Sequence, residues 1–350
     1  MLSLARLESI LDTLPRLTIG LVGDLFLDRY LDIAPGICEM SIETGMEAYQ
    51  IPQIRNSPGA LGTVLNNLAA LGVGLLVPAS VIGDDGQGYD LLKEVRKLPV
   101  DASHVLAVSD RLTPTYTKPM KQDAKGSWRE LNRLDVRTRG PLSAAATAEL
   151  CKRVRQVFES SDGLIVLDQI NETNWGVVNA TVRNLLRDLA KESPSKLIYI
   201  DSRQHLKEFD FGILKGNRAE LLRAAGVVSD PGAMTDQTVR EAALLLASRT
   251  SRPVFCTVGE QGILVTQPQQ PPELVPGVPV TGPVDIVGAG DAATSGIVTS
   301  LLAGATPLEA AAVGNQVASI TVQQLGTTGT ASPEQVRSRW REAKANSLLR

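Results

Sequence analysis

The stretch Gly282-Pro283-Val284-Asp285-Ile286-Val287-Gly288-Ala289-Gly290-Asp291 runs directly into small apolar residues from Ala292 to Ala303. A loop without bulky side chains that opens a buried helix turns backbone N–H groups, here at Gly288 to Asp291, toward an anion, with the positive helix end behind them. Asp291 stands where that anion would be attacked. A carboxylate repels a phosphate and holds it poorly, but it can take the proton from a hydroxyl that attacks one. This is the chemistry of phosphoryl transfer. The plain alternative is that Asp291 caps its helix by accepting from the next N–H groups, and on this loop alone the two readings stand level.

Further groups follow predicted strands. Leu17 to Gly23 is a short apolar run that reads as a buried strand, whose C-terminal edge presents Asp24 and Asp28. Ligands of open α/β sheets collect at that edge. Asp28 there can bind a sugar hydroxyl, or pair with Arg29. Asp168, Asn171, Asp201 and Arg203 also follow predicted strands and can line the same cleft. Asn315, on a helix beyond the anion loop, can line a nucleotide pocket or serve as a buried hydrogen-bonding amide. His104 and His205 belong to no recognisable catalytic arrangement.

The elements that must position these groups alternate regularly. Strands are expected at Leu75 to Val81, Gly163 to Leu167, Lys196 to Ile200, Gly212 to Leu214 and Val254 to Val258. Helices are expected at Thr63 to Leu71, Ala144 to Glu159, Gly176 to Ala190 and Arg218 to Ala225, with a capped helix from Thr306 to about Leu325 and a last one after Ser332. That order predicts an α/β fold, a doubly wound and mostly parallel sheet with helices on both faces. Leu2, Leu4, Leu7, Leu11 and Leu14 add an amphipathic N-terminal helix. Two β-rich excursions, about 30–56 and 111–136, predict a small lid inserted in a single domain, 1–350. Their expected strands include Glu47 to Pro52, Thr115 to Lys118 and Trp128 to Leu131, and 267–272 reads as a hairpin loop.

Composition bounds the partners. The chain has 350 residues, 43% of them hydrophobic, a net charge of −3 and only three cysteines. No general attraction to nucleic acid or anionic membrane follows, so a bound phosphate must be met by a local site. Cys38, Cys151 and Cys256 are far apart, which argues against a disulfide framework or zinc site and for a reducing cytoplasm. No stretch is long and apolar enough to span a bilayer.

Four patterns in order resemble the PfkB or ribokinase-like carbohydrate kinase family, and most closely its heptose-7-phosphate kinase branch. Gly23-Asp24-Leu25-Phe26-Leu27-Asp28-Arg29-Tyr30 is similar to that branch's opening motif. Asn217-Arg218-Ala219-Glu220 is similar to the family's N-x-x-E, and Thr257-Val258-Gly259-Glu260-Gln261-Gly262 to its nucleotide-side T-x-G-x-x-G. Asp285-Ile286-Val287-Gly288-Ala289-Gly290-Asp291 is similar to the signature D-T-x-G-A-G-D, departing at Ile286.

The resemblance runs from Leu17 to about Glu334 and implies an ATP-dependent carbohydrate kinase. It makes Asp291 the general base and Gly288, Ala289 and Gly290 the anion hole. Glu220 and Asn217 would organise Mg²⁺, in part through water, and i to i+3 spacing on a helix suits this; capping of the helix start is the alternative. Thr257, Gly259, Gly262 and Asn315 would border ATP, while Asp28, Asp24, Gly59 and Thr63 would face the sugar. A monovalent cation stays open, and the lid implies a homodimer. At the acceptor site, Pro58-Gly59-Ala60-Leu61-Gly62-Thr63 carries Ala60 and Thr63 where the family carries a second glycine and an asparagine. A threonine hydroxyl offers less hydrogen bonding than an amide, so the acceptor can differ from the family's usual sugar. A kinase of a nucleoside or vitamin precursor, and a catalytically silent ligand-binding relative, are the competing readings.

Overall fold

The computed structural model describes residues 2–37, 39–123, 125–227, 235–326 and 328–345, so Cys38 lies outside the described residues. The expected amphipathic helix is α1 (Leu4–Leu11), which turns Leu7, Ile10 and Leu11 inward and is capped by the Ser3 hydroxyl accepting from the Arg6 N–H. β1 (Thr18–Gly23) is buried along almost its whole length between two parallel neighbours.

The chain then makes a strand where only a strand edge is expected. β2 (Leu25–Asp32) leaves the main sheet, and Asp28 lies within it rather than in a loop. The period-two alternation of Leu25, Leu27 and Leu31 with Phe26, Asp28 and Tyr30 is its signal. β3 (Glu39–Met40) and β4 (Glu47–Ala48) form a small hairpin, and β5 (Gln53–Ala60) returns along β2. The expected strand over Glu47 to Pro52 is therefore displaced. Pro52 has no N–H to give, and pairing starts beyond it with Gln53 opposite Asp32.

α2 (Leu61–Ala70), β6 (Leu75–Gly83), α3 (Gly86–Val95) and β7 (Val105–Val108) return the chain to the main body. β8 (Thr115–Gln122), β9 (Trp128–Glu130) and β10 (Leu134–Val136) then complete the smaller sheet, ordered β10-β8-β2-β5 with β9 on β8. Its pairs are antiparallel except β2 with β8. This is the lid, extended back to Leu25 and on to Ala60.

The remaining elements are α4 (Ala144–Ser160), β11 (Gly163–Asp168), α5 (Ala180–Glu192), β12 (Leu197–Ser202), β13 (Ile213–Asn217), α6 (Arg218–Ala224), α7 (Asp236–Thr250), β14 (Val254–Thr257), β15 (Gly262–Thr266), β16 (Glu273–Pro276), α8 (Ala289–Leu302), α9 (Pro307–Thr321) and α10 (Pro333–Ala345). The main sheet runs β16-β15-β14-β13-β12-β11-β1-β6-β7, parallel except at β15 and β16, whose hairpin encloses 267–272. One apolar core includes Leu7, Leu65, Ile165, Val298 and Val317; the other, Val154, Val166, Leu186 and Leu246. Helices thus cover both faces. α5 starts later than expected because Asn179 caps it, accepting from the Val182 N–H. β13 runs further than expected, through Lys215 and Asn217, whose polarity breaks the apolar run.

α8 and α9 cross closely, since a β-carbon built on Gly296 would stand 2.9 Å from the Gly314 Cα. At the N-terminal edge of the sheet, Lys196 donates to the Phe158 carbonyl in the last turn of α4, and Arg252 to the Pro194 carbonyl just beyond α5. Cations match the negative ends of helices, and Lys196 and Arg252 are among the basic residues lining the 470 Å³ hollow there.

Candidate active site

Gly288 opens α8 in the left-handed region, with φ +81°, and a β-carbon there would stand 2.6 Å from Thr328 Cγ2. The Asp285 carboxylate accepts from the Val287 N–H at 3.0 Å, and the Asp285 N–H donates to the Val322 carbonyl at 2.8 Å, so the loop is fixed before any ligand arrives. The Ala289 N–H closes a turn on the Ile286 carbonyl at 3.2 Å. The N–H groups of Gly288, Gly290 and Asp291 have no hydrogen-bond acceptor among the described residues. They are the unpaired donors that every helix start leaves.

The Asp291 side chain makes no cap bond, nor does any other side chain at the start of α8. The capping alternative therefore does not describe this helix. Burial pushes the Asp291 carboxyl up to about 7; the Lys215 charge opposes that rise and the Asp201 charge adds to it. A carboxyl that titrates near neutrality can release and take up a proton under working conditions.

Asp201 on β12 and Lys215 on β13 face each other in register, and their side chains form a buried ion pair at 2.5 Å. A β-carbon on Gly290 would lie 3.0 Å from the Lys215 Nζ, so the ammonium sits against the first turn of α8. Sequence reading missed Lys215. Its signal was a charged residue inside an apolar strand, two positions before Asn217.

Asn217 and Glu220 do form a capping box. The Asn217 Oδ1 accepts from the Glu220 N–H at 3.0 Å, and the Asn217 N–H donates to the Glu220 Oε2 at 2.7 Å. Capping holds one Glu220 oxygen and leaves the other available. Burial, and then the Asp201 charge, raise the Glu220 carboxyl above its ordinary value. Crowded carboxylates of this kind fit Mg²⁺, a hard cation that takes oxygen ligands. Among the described residues no three acidic, histidine or cysteine side chains are grouped to hold an ion by themselves.

At the stretch expected to border the nucleotide, Thr257 ends β14 and the Val258 N–H donates to the Gly262 carbonyl across a tight turn. Gly259 has φ +66°; Gly262 has φ +111°, and a β-carbon there would meet the Val275 carbonyl at 2.2 Å. Asn315 is buried, and its Nδ2 donates to the carbonyls of Val275 and Pro276 at 3.0 and 2.9 Å, fastening β16 to α9.

On the other side, the Asp28 Oδ1 pairs with the Lys118 Nζ at 3.0 Å, and Lys118 also donates to the Tyr30 hydroxyl. A β-carbon on Gly59 would fall 2.5 Å from the Asp28 Oδ2, which gives a steric reason for glycine. Thr63 is buried, with its Cγ2 3.5 Å from the β-carbon position of Gly288, so α2 meets the loop that opens α8. Asp24 is buried and accepts from the Val177 N–H at 2.8 Å; burial pushes it up to about 6. Asp168, beside it, accepts from the Ser202 hydroxyl at 2.8 Å and is pushed up to about 7 by burial and by Asp24. These two carboxylates are buried rather than open to solvent. Arg203 is exposed.

The model of the pfkB family carbohydrate kinases matches residues 39–335. Among curated relatives, the bifunctional protein HldE of Desulfatibacillum aliphaticivorans is 28% identical over 316 residues, 87% of this chain and 60% of that protein. The bifunctional protein HldE of Trichlorobacter lovleyi is 27% identical over 338 residues, 94% of this chain and 64% of its own length. The chain thus spans under two thirds of the length of these relatives. Phosphofructokinase-2 from Escherichia coli, solved with fructose-6-phosphate, superposes with a TM-score of 0.68 at 17% identity, covering 94% of this chain and 99% of that one. Ribokinase from Cryptococcus neoformans, solved with ADP, superposes with a TM-score of 0.62 at 20% identity, covering 92% and 99%. The fold is therefore ribokinase-like.

Proposed function

The chain belongs to the pfkB family of carbohydrate kinases, and from that premise we propose that it transfers the γ-phosphoryl group of ATP to a hydroxyl of a sugar or sugar phosphate. The observation that carries this reading is the start of α8, where three unpaired N–H groups adjoin an Asp291 carboxylate that caps nothing. Asp291 takes the acceptor's proton; the acceptor oxygen bonds to the γ-phosphorus as the bond to the β-phosphate oxygen breaks, and ADP leaves. Gly288 and Gly290, with the loop at Ala289, meet charge on the group in transfer.

Glu220, supported by Asn217, would hold Mg²⁺ in part through water, and the ion would neutralise phosphate charge. Thr257, Gly259 and Gly262 shape the nucleotide side, and Asn315 acts there by anchoring β16. Asp28 and Thr63 face the acceptor beside Gly59, over a floor supported by Asp24. The lid carries exposed Ile37, Met40, Ile42, Met46 and Trp128, which fits a homodimer formed through it. A reducing cytoplasm is the proposed setting, since Cys151 and Cys256 are free and no described helix is long and apolar enough to cross a membrane.

Ala60 and Thr63 favour a second reading of the acceptor, a non-sugar alcohol such as a nucleoside or vitamin precursor. ADP release measured over sugars, heptose and hexose phosphates, nucleosides and other alcohols separates the two. Asp291→Asn is expected to fold and bind ATP while kcat falls about 10²- to 10⁴-fold. Near-normal turnover in that variant removes Asp291 as the base. Nucleotide binding without ADP release from any acceptor would instead favour a silent relative.

A further inference from the structure

Lys215 is a buried cation, kept protonated against the cost of burial by the carboxylates of Asp201, Asp291 and Glu220 around it. It is buried, and burial of an ammonium costs several kcal/mol before any partner repays it. It also lies against the first turn of α8, the positive end of a helix, where acidic rather than basic groups are stabilised. Asp201 supplies one partner at 2.5 Å. An ammonium has three donors, and among the described residues Asp201 is the only hydrogen-bonding partner of Lys215. The Lys215 ammonium thus lies beside the helix start whose Gly288, Gly290 and Asp291 N–H groups are unpaired among the described residues.

An anion seated there would satisfy both sets of donors. We infer that Lys215 is a further catalytic residue, donating to a non-bridging oxygen of the phosphoryl group in transfer from beneath the first turn of α8, with Asp201 as the positioning residue that tethers it. The inference rests on the kinase reading above. It adds a buried point charge to a hole otherwise made of backbone dipoles, and it places that charge on the γ-phosphoryl group rather than on the part of the nucleotide that ADP retains.

Calorimetric titration with Mg²⁺ and either ADP or a non-hydrolysable ATP analogue tests it. Lys215→Met is expected to weaken the triphosphate about 10- to 100-fold, the loss of one charge-assisted hydrogen bond, and ADP less than about 3-fold. Lys215→Arg should recover part of the difference. Because Lys215→Met leaves Asp201 buried and unpaired, the double variant Lys215→Met/Asp201→Asn carries the same test with the charge removed in balance. Asp201→Asn alone should lower kcat more than it raises the KM for ATP. Equal loss of both nucleotides, or no loss of either, overturns the assignment while leaving the kinase reading intact. Wild-type protein that binds neither nucleotide overturns the kinase reading and the inference with it.

Discussion

Polar side chains at the starts of α8 and α6 are used differently as their surroundings change. Asp291 makes no cap bond, whereas Asn217 and Glu220 cap each other. The raised carboxyl at Asp291 has a consequence for stability. A carboxyl whose folded pKa, about 7, exceeds its unfolded value holds its proton more tightly when folded. Its penalty is absent below pH 4 and grows as pH rises through 7. Asp291→Asn should therefore melt at a higher temperature than wild type at pH 8, with the gap closing near pH 4; a gap independent of pH would contradict the burial of this charge. Ala60 is the second case. It adopts φ 52° and ψ −115°, a conformation suited to glycine, at the position where the resembling family carries glycine. Strain of about 1–3 kcal/mol outweighs the roughly 0.4–1 kcal/mol that glycine loses through unfolded-chain entropy. Ala60→Gly should gain about 1 kcal/mol in chemical denaturation, and a loss would show that the alanine is relaxed.

At the scale of elements, the parallel strands and their helices were legible because apolar runs of strand length alternate with capped amphipathic segments. The lid was legible only in outline. β2 was hidden because Gly23-Asp24 looks like a strand end, and β5 because Pro58 and Gly59 look like a turn; in the structure they lie in an eight-residue strand paired with β2. Lys215 was hidden because its importance comes from α8, over 70 residues later. The Gly296 and Gly314 contact is equally non-local, and it sets how near α8 lies to α9. Gly296→Ala should cost about 1–3 kcal/mol by overpacking that crossing, read as a lower denaturation midpoint, and an unchanged midpoint would mean the helices part freely.

The whole molecule belongs to the pfkB family of carbohydrate kinases, with its proposed chemistry between a sheet edge and a lid. If the lid joins two copies, Ile42→Glu/Met46→Glu should shift sedimentation from dimer to monomer; a wild-type monomer at micromolar concentration would dismiss the proposal. The lid has no continuous chain of its own. β2 and β8 are neighbours although Tyr30 and Lys118 are 88 residues apart, with α2, β6, α3 and β7 between them. Closing so long a loop is entropically slow and gains little until the intervening elements are in place. The lid ladder is therefore expected to form late in folding. An emerging chain completes the sheet around Asp28 only after β8 has been made, well after Asp28 itself is available.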